Sequence, residues 1–222
     1  ALMRLMPKRI KTGKYPVIFE SRVATSLLSS LVSSTSGTNQ YRKTSFLLDS
    51  LDKKIASESL TVHEDPYLKN GNATTYFDGD GVFVKPRVVV EKGFLKGYFL
   101  SSYSARRLNM ETTGNAGGAH NLIANPSNLN FDGLLKKMKR GLVVTELLGH
   151  GLNMVTGDYS RGVAGFWVEE GTIIHPVEEI TIAGNMKDML LNISDVGNDT
   201  YTNGSEYMGS VLITDMTIAA GA

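Results

Sequence analysis

The chain has 222 residues, which is enough for one large domain or two small ones with a substantial core. Its 23 basic and 22 acidic side chains nearly cancel, so the composition excludes bulk electrostatic attraction to nucleic acid. The absence of cysteine excludes disulfides and thiolate chemistry, and no apolar run approaches the roughly 18 residues of a membrane span. We therefore expect a cytoplasmic protein that binds neither nucleic acid nor membranes directly.

The first helix is predicted from Arg22 to Ser34, directly after the short apolar segment VIF. Its apolar residues recur at helical spacing and form one stripe, while serines occupy other positions. The stripe contains Val23, Ala24, Leu27, Leu28, Leu31 and Val32. We expect Gly37 to end this helix. Glu20 lies at the junction of strand and helix, a common place for catalytic residues.

Two further helices are predicted from the same kind of pattern. The segment SFLLDSLDKKIA, residues 45–56, has a spacing that would turn Phe46, Leu47, Leu51 and Ile55 toward the core. A third helix, from Phe131 to about Arg140, ends in basic residues followed by Gly141. That ending suits the negative end of the helix dipole and a left-handed cap at the glycine.

The remaining periodic segments favour β-structure. VFVKPRVVVEKGFLKGYFLSS predicts strands around a turn at residues 91–93, and GFWVEEGTIIHPVEEITIAG predicts the same arrangement with its turn at residues 169–171. The ending SVLITDMTIAAGA predicts a final strand. The expected fold is α+β and β-rich, with a large mixed or antiparallel sheet or barrel-like body and a few helices.

No metal motif is visible in the spacing of the histidines. None of the four lies at HExxH or a similar distance from another. A site assembled in three dimensions from His63, Glu64, His120 and His150 stays open, against the alternative that these are ordinary surface or core residues. The segment FDGDG, residues 77–81, resembles the start of a calcium loop, but Val89 stands where the bidentate glutamate is needed, so we predict a hairpin turn.

Two glycine-rich stretches are candidate binding loops. TTGNAGGAHN, residues 112–121, either lets a ligand approach the backbone or is a tight structural loop, and the sequence leaves both open. GDYSRGVAGFW, residues 157–167, resembles the GxSxG motif that presents a nucleophilic serine. It does not match, because Ser160 stands three residues after Gly157 instead of two. Its Arg161 could bind the carboxylate of a peptide with Asp158 and Tyr159 beside it, although we favour a bulged strand entry.

Four long segments carry a resemblance to a known family. They are YRKTSFLLDSL (41–51), SSYSARRLNMETTGNAGGAHN (101–121), GLVVTELLGHGLNMVTGDYSRGVAGFWVEEG (141–171) and HPVEEITIAGNMKDMLLNI (175–193). They resemble the C-terminal half of the PmbA/TldE proteins in the TldD/PmbA group, formerly described as modulators of DNA gyrase. The resemblance covers nearly the whole chain. It implies that residues 1–222 are the C-terminal domain of this family, with the family-typical N-terminal domain absent from this chain.

This resemblance implies a function and identifies where members of the family hold their metal. Members form TldD–TldE heterodimers that act as a zinc metallopeptidase on unfolded or peptide substrates, including microcin precursors and antitoxins. In the TldD type, a strand runs into a helix bearing HExxxH, and a cysteine near the C-terminus completes the zinc site. The histidines supply nitrogen ligands, and the glutamate can act as general base on metal-bound water.

The corresponding junction in this chain is VIFESRVAT, and it lacks those residues. Glu20 falls at the first histidine, Ser21 at the glutamate and Thr25 at the second histidine. The resemblance therefore implies a TldE-type subunit with no catalytic residue, metal ligand or cofactor of its own, and with zinc held by a TldD-type partner.

The glycine-rich stretches are expected to line a peptide groove or a partner interface. The predicted residues are Arg106, Thr113, Gly114, Asn115, Gly117, Gly118, His120, Gly157, Asp158, Tyr159 and Arg161. A stand-alone, self-associating binding or scaffold protein linked to gyrase modulation is the alternative. A hydrolase that uses Ser160 is the third hypothesis.

Overall fold

The computed structural model describes residues 2–220. Within them the chain forms one short 3-10 helix (Leu2–Arg4), five α-helices and twelve β-strands. The helices are α1 (Ser21–Thr35), α2 (Gly37–Tyr41), α3 (Ser102–Leu108), α4 (Phe131–Met138) and α5 (Met186–Leu191). The strands are β1 (Gly13–Phe19), β2 (Val62–Asp65), β3 (Arg87–Glu91), β4 (Phe94–Leu95), β5 (Asn121–Ala124), β6 (Gly141–Leu148), β7 (Asp158–Glu169), β8 (Thr172–Asn185), β9 (Ile193–Val196), β10 (Tyr201–Asn203), β11 (Glu206–Met208) and β12 (Val211–Ala220). None of the helices in this part of the chain is both long and apolar enough to cross a membrane.

Strands β1, β6, β7, β8 and β12 form a closed five-stranded barrel. The ring closes because β1 pairs with β6 on one side and with β12 on the other. The β1–β6 pairing is parallel, and the other four pairings are antiparallel. β9 pairs with the first part of β12, beside the ring. The predicted α+β fold with a barrel-like body is confirmed.

One face of every barrel strand contributes to a single apolar core. Its members include Val17 and Phe19 of β1, Leu142 and Val144 of β6, Val163 and Trp167 of β7, Ile180 and Ile182 of β8, and Ile213 and Ile218 of β12. The alternating residues of the opposite face, such as Ile18 and Val143, belong to a smaller cluster with α4. Because side chains alternate along a strand, the first set points into the barrel and α4 packs on its outside.

Helix α1 covers the barrel core with the stripe that the sequence predicts. Ala24, Leu27, Leu28 and Leu31 are buried in the main cluster, and Val23 and Val32 pack against it partly buried. The same helix packs against β10 and β11 of the second sheet, whose strand order is β10-β11-β5-β2-β3-β4. α1 therefore joins the barrel to the second sheet.

Both predicted hairpins and the final strand are confirmed. β3 turns into β4 at Lys92 and Gly93, and β7 turns into β8 at Glu170 and Gly171. All four residues have positive φ, as two-residue hairpin turns that match the strand twist require. FDGDG also forms the predicted hairpin turn, with a bridge between Phe77 and Phe83. β12 occupies the predicted last strand up to Ala220, and the final two residues of that segment lie outside the described part of the chain.

The predicted helix over residues 45–56 is wrong. The segment consists of turns, and Asp49 and Asp52 adopt left-handed φ values of 51° and 56°, which interrupt a right-handed helix. Phe46 and Ile55 are nevertheless buried in the core. The helical spacing of these apolar residues reflects burial, which successive turns achieve as well as a helix does.

Two glycines serve close packing where the sequence predicts helix ends. α4 ends at Met138, and Lys139 takes the left-handed position instead of Gly141. Gly141 begins β6, where a Cβ would lie 2.3 Å from the carbonyl oxygen of Pro16. Gly37 begins α2, and a Cβ there would lie 2.3 Å from the hydroxyl of Ser104. Both glycines are needed because another part of the chain approaches them.

The tightest such approach generates a stability prediction. A Cβ on Gly165 of β7 would lie 1.8 Å from the carbonyl oxygen of Val143 on the neighbouring strand. We expect Gly165→Ala to lower the free energy of unfolding by about 3 kcal/mol or more, or to prevent folding, because the backbone of β6 cannot retreat without breaking the barrel. Urea denaturation measures the loss.

Gly162→Ala on the same strand is the matched control. A Cβ there meets nothing nearer than Leu148 at 3.5 Å, an ordinary contact. Its effect should stay within about 1 kcal/mol. Equal losses for the two variants would contradict the interpretation that backbone approach at Gly165 limits barrel closure.

Candidate functional site

The junction of β1 and α1 lies at one end of the barrel. The Glu20 amide donates to the carbonyl of Val144 at 3.0 Å, which continues the β1–β6 pairing by one residue. Glu20 is the N-cap of α1, and its carboxylate accepts from the amide of Arg22 at 3.2 Å and from its Nε at 3.0 Å. Ser21 and Thr25 are only 7% and 1% exposed, and the Thr25 hydroxyl donates to the carbonyl of Arg22. The side chains of Glu20 and Thr25 thus bond within the first turn of the helix, and Ser21 is buried beside them.

The residues at this junction do not fit a zinc ion. Zinc in proteins is bound by thiolate, imidazole and carboxylate groups in a tetrahedral arrangement. Here the donors are two buried hydroxyls and one carboxylate, and that carboxylate already pairs with Arg22. Within residues 2–220, no three His, Cys, Asp or Glu side chains are grouped so that they could hold a metal ion. We therefore derive no metal-dependent step from this chain.

The first glycine-rich stretch is anchored by a buried carboxylate. Glu64 of β2 is 1% exposed and accepts four hydrogen bonds or ion-pair contacts. They come from the amide of His120 (2.8 Å), His120 Nδ1 (2.9 Å), Asn115 Nδ2 (2.7 Å) and Arg87 Nε (2.6 Å). The predicted site residues Asn115 and His120 are thus brought together in the interior, as the two ends of the loop.

The charge of Glu64 is stabilised by these partners. Burial alone would raise the pKa of Glu64, but the hydrogen bonds from His120 and the charge of Arg87 lower it to about 2. Arg87 also donates to the carbonyl of Tyr98 and to Asn115 Oδ1. Of the four residues considered as one site, Glu64 and His120 are in direct contact, whereas His63 neighbours Glu64 on β2 and projects from the opposite face. The parts that Arg87 and Asn115 play in this network were not predicted. Glu64 lies two residues after the fully buried Val62, so strand alternation is the signal that could have placed it inside.

Between its anchors, the loop borders a polar cleft. Gly117 and Gly118 have φ values of 112° and 118°, and no atom lies within 4 Å of a Cβ on either. They line a cleft of about 270 Å³ with Asn115, Ser36, Ser101 and Ser104. Thr113 donates to Asn115 Oδ1, and the neighbouring Gly114 packs against Val84 with a φ of 72°. The loop is anchored at Asn115 and His120, as a structural loop would be, and that a ligand approaches its exposed glycines stays a prediction.

The second glycine-rich stretch, residues 157–167, begins at the other end of α1 from this cleft. The cleft borders Ser36, at the C-terminal end of α1, whereas Glu20 lies at its N-terminal end. Fifteen helical residues separate these ends by about 22 Å. β7 begins at Asp158, at the barrel end where β1 and β6 finish, so residues 157–161 share an end of the barrel with Glu20. Arg106 lies exposed on α3. That all these residues line one groove stays a prediction.

The start of β7 carries two buried polar atoms that make no hydrogen bond of ordinary geometry. Gly157 has a φ of 84° and precedes a regularly paired strand entry, whose bulge comes later, between Val163 and Gly165. Asp158 accepts from Thr156 and Asn185. The hydroxyl of Tyr159 and the Nε of Arg161 are buried without a hydrogen bond.

Three comparisons place this fold among known proteins. The family model of the "PmbA/TldA metallopeptidase C-terminal domain" matches residues 12–220. "Metalloprotease PmbA" of Escherichia coli O157:H7 is 51% identical over 218 residues, which are 98% of this chain and 48% of that protein. A solved structure of a proposed modulator of DNA gyrase from Bacteroides thetaiotaomicron VPI-5482 superposes with a TM-score of 0.94 at 31% identity, covering 99% of this chain and 50% of the other.

The structure of TldE from Thermococcus kodakarensis has the same fold, with a TM-score of 0.88 at 24% identity, covering 99% of this chain and 53% of that one. The chain spans about half the length of the curated relatives it matches.

The buried Glu64 network predicts a specific dependence of stability on pH. The pKa of Glu64 falls from 4.5 to about 2 on folding. Its charge therefore contributes stability above pH 4.5, and that contribution, about 3 kcal/mol, is lost as the pH falls from 4.5 to 2. We expect Glu64→Gln to be less stable than the wild type at pH 7, with the difference shrinking by this amount over that interval. Urea denaturation at a series of pH values measures it.

Glu58→Gln serves as the control, because the side chain of Glu58 is 75% exposed and makes only a surface ion pair with Lys54. The stability of this variant should follow that of the wild type at every pH. A constant difference between the wild type and Glu64→Gln from pH 5 to pH 2 would show that folding does not lower the pKa of Glu64.

Proposed function

The chain belongs to the PmbA/TldA metallopeptidase family, and from this membership we propose that it is the non-catalytic, TldE/PmbA-like subunit of a cytoplasmic zinc metallopeptidase. The subunit pairs with a TldD-type chain that holds the zinc and hydrolyses unfolded peptides. One observation carries the proposal. The helix start that bears HExxxH in the TldD type here consists of Glu20, Ser21 and Thr25, all engaged in local hydrogen bonds or buried.

The chemistry of the site supports a role in binding instead of hydrolysis. A metal-bound water needs a cation held by several strong donors, and the first turn of α1 offers one carboxylate that is already paired. Ser160 is exposed on β7, and no hydrogen bond links its hydroxyl to a histidine within the described residues. A serine hydrolase would need such a base beside the nucleophile.

An exposed sheet edge supports the binding of extended peptides. β10 pairs with β11 on one side only, and its three residues, Tyr201–Asn203, are exposed. α1 packs against both strands, and its Ser29 hydroxyl bonds Glu206 of β11 at 2.7 Å. A peptide that added a strand to β10 would lie beside α1 and would be bound through its backbone, which suits substrates of varied sequence. Microcin precursors and antitoxins are substrates of this kind.

The proposal is tested by the zinc content and peptidase activity of the chain, alone and mixed with a TldD-type protein. Alone, the purified chain should hold less than about 0.1 zinc per chain after dialysis and should cleave no unfolded peptide, because α1 provides no metal site. With the TldD-type protein it should form a complex on size-exclusion chromatography, and hydrolysis should appear or increase in the mixture.

Several outcomes would contradict this assignment. One tightly bound zinc with hydrolysis by the isolated chain would make it a catalytic subunit. A self-associated oligomer that forms no complex with the TldD-type protein would favour the scaffold alternative linked to gyrase modulation. Activity of the isolated chain that disappears in Ser160→Ala would favour the hydrolase hypothesis.

A further inference from the structure

Two donors at the end of the barrel have no acceptor. Tyr159 is 4% exposed, yet its hydroxyl makes no hydrogen bond, and the same holds for the buried Nε of Arg161. Buried polar groups are nearly always hydrogen-bonded, because burial removes their hydrogen bonds to water and an unpaired group gains no replacement. Two of them lie two positions apart on one strand, so both remain available to a further acceptor.

The two side chains point to the same place. Tyr159 and Arg161 are two residues apart on β7, so they project from the same face of the strand. Tyr159 belongs to the apolar cluster that fills the barrel, and so does Val163, two residues beyond Arg161. The pair therefore lines the inner face of the barrel at the end where β6 finishes and β7 begins.

No acid in the described part of the chain neutralises Arg161. Its guanidinium is absent from the ion pairs found within residues 2–220. Asp158 is close in sequence but projects from the opposite face of β7, where it accepts from Thr156 and Asn185. Arg161 thus presents a positive charge with unused donor capacity.

The tyrosine remains a donor beside this charge. Burial raises the pKa of Tyr159, and the Arg161 cation offsets this only in part. The Arg161 side chain lies near enough to the Tyr159 hydroxyl to act on it both by its charge and as a hydrogen-bond donor, but the geometry falls outside that of an ordinary hydrogen bond, and the phenol proton itself has no acceptor. A neutral phenol and a guanidinium together offer donors and a positive charge.

We propose that Tyr159 and Arg161 form a receptor for a carboxylate group of a bound peptide. A carboxylate has two acceptor oxygens and one negative charge, so it can satisfy Arg161 and Tyr159 at the same time. The β6–β7 connection packs against this pair, since Leu152 bridges Tyr159 and a Cβ on Gly151 would lie 3.0 Å from the Cβ of Arg161, so a bound peptide would have to displace part of that connection. The receptor lies at the barrel end that also carries the start of α1.

The identification of the ligand as a peptide rests on the proposed function, whereas the carboxylate chemistry rests on the two unpaired donors alone. The receptor would hold either the terminal carboxylate of a peptide or an acidic side chain within it. Either source would fix the position of an extended chain whose backbone is otherwise bound without regard to sequence.

The test uses this chain alone, without zinc or a TldD-type protein, so its failure is distinct from failure of the subunit assignment. A heptapeptide of alanine and serine with an N-terminal fluorophore is made as the free acid, as the C-terminal amide, and as the amide with one internal aspartate. Fluorescence anisotropy gives the affinities. The free acid should bind at least about tenfold more tightly than the amide, as expected for a charge-assisted hydrogen bond. If the internal aspartate restores tight binding, the receptor also takes side-chain carboxylates.

Variants at the two positions separate binding from structure. Arg161→Gln should reduce the affinity for the acid to that for the amide, and Arg161→Lys should be intermediate because it keeps the charge without the planar fork. Tyr159→Phe should bind the acid several-fold more weakly and yet melt a few degrees higher, because it removes an unsatisfied buried hydroxyl. Lys187→Gln, which removes an exposed charge on α5, is the control and should change neither property.

Three results would overturn the receptor. The first is equal binding of the acid, the amide and the aspartate peptide, or no binding of any of them up to millimolar concentration. The second is a preference for the carboxylate that persists in Arg161→Gln. The third is a Tyr159→Phe variant that melts lower than the wild type with unchanged affinity, since the hydroxyl would then have a structural partner.

Discussion

The barrel exists because β1, near the start of the chain, pairs with β12, at its end. Gly13 lies opposite Ile218 and Phe19 opposite Val211. β1 also pairs in parallel with β6, so it is held on both edges, and the ring has no free edge at that point. The closing strand leads directly into α1, so the same pairing fixes where the helix begins. The close approaches at Gly141 and Gly165 follow from this closure, because β6 must fit between β1 and β7 without side chains at those two positions.

The second sheet depends on a different interaction, the buried charge of Glu64. Its carboxylate connects β2 to Arg87 of β3 and to both ends of the glycine-rich loop that precedes β5. A buried ion pair adds little net stability by itself, but leaving one partner alone is costly. The network therefore fixes the position of the loop more than it stabilises the sheet, and the open glycines at 117 and 118 are presented from a rigid frame.

The parts of the fold that the sequence predicts are those with local causes. The apolar stripe of α1, the two-residue turns at 92–93 and 170–171 and the strand β12 each follow from residues that are neighbours in the chain. The segment 45–56 shows the limit of this reasoning, since burial of Phe46 and Ile55 imposes a helix-like spacing on a run of turns. The Glu64 network joins residues up to 56 positions apart, and barrel closure joins residues about 200 apart. Neither the Glu64 network nor the closure of the barrel can be predicted from the spacing of residues that are neighbours in the chain.

The candidate site shows the same division. In the proposed function, the segment VIFESRVAT corresponds to the zinc-binding helix of the TldD type, and the structure shows what its residues do here. Glu20 caps the helix, and the hydroxyl of Thr25 bonds its backbone, so the first turn is stabilised without a metal. The carboxylate of Glu20 and the hydroxyl of Thr25 therefore have partners, whereas the Tyr159 hydroxyl and the Arg161 Nε at the same end of the barrel have none. If α1 has lost its metal chemistry, as proposed, its first turn must satisfy its own donors and acceptors, because no metal does so. The proposed carboxylate receptor uses the unpaired Tyr159 hydroxyl and Arg161 Nε, so the two proposals together assign binding at this barrel end to β7 and not to α1.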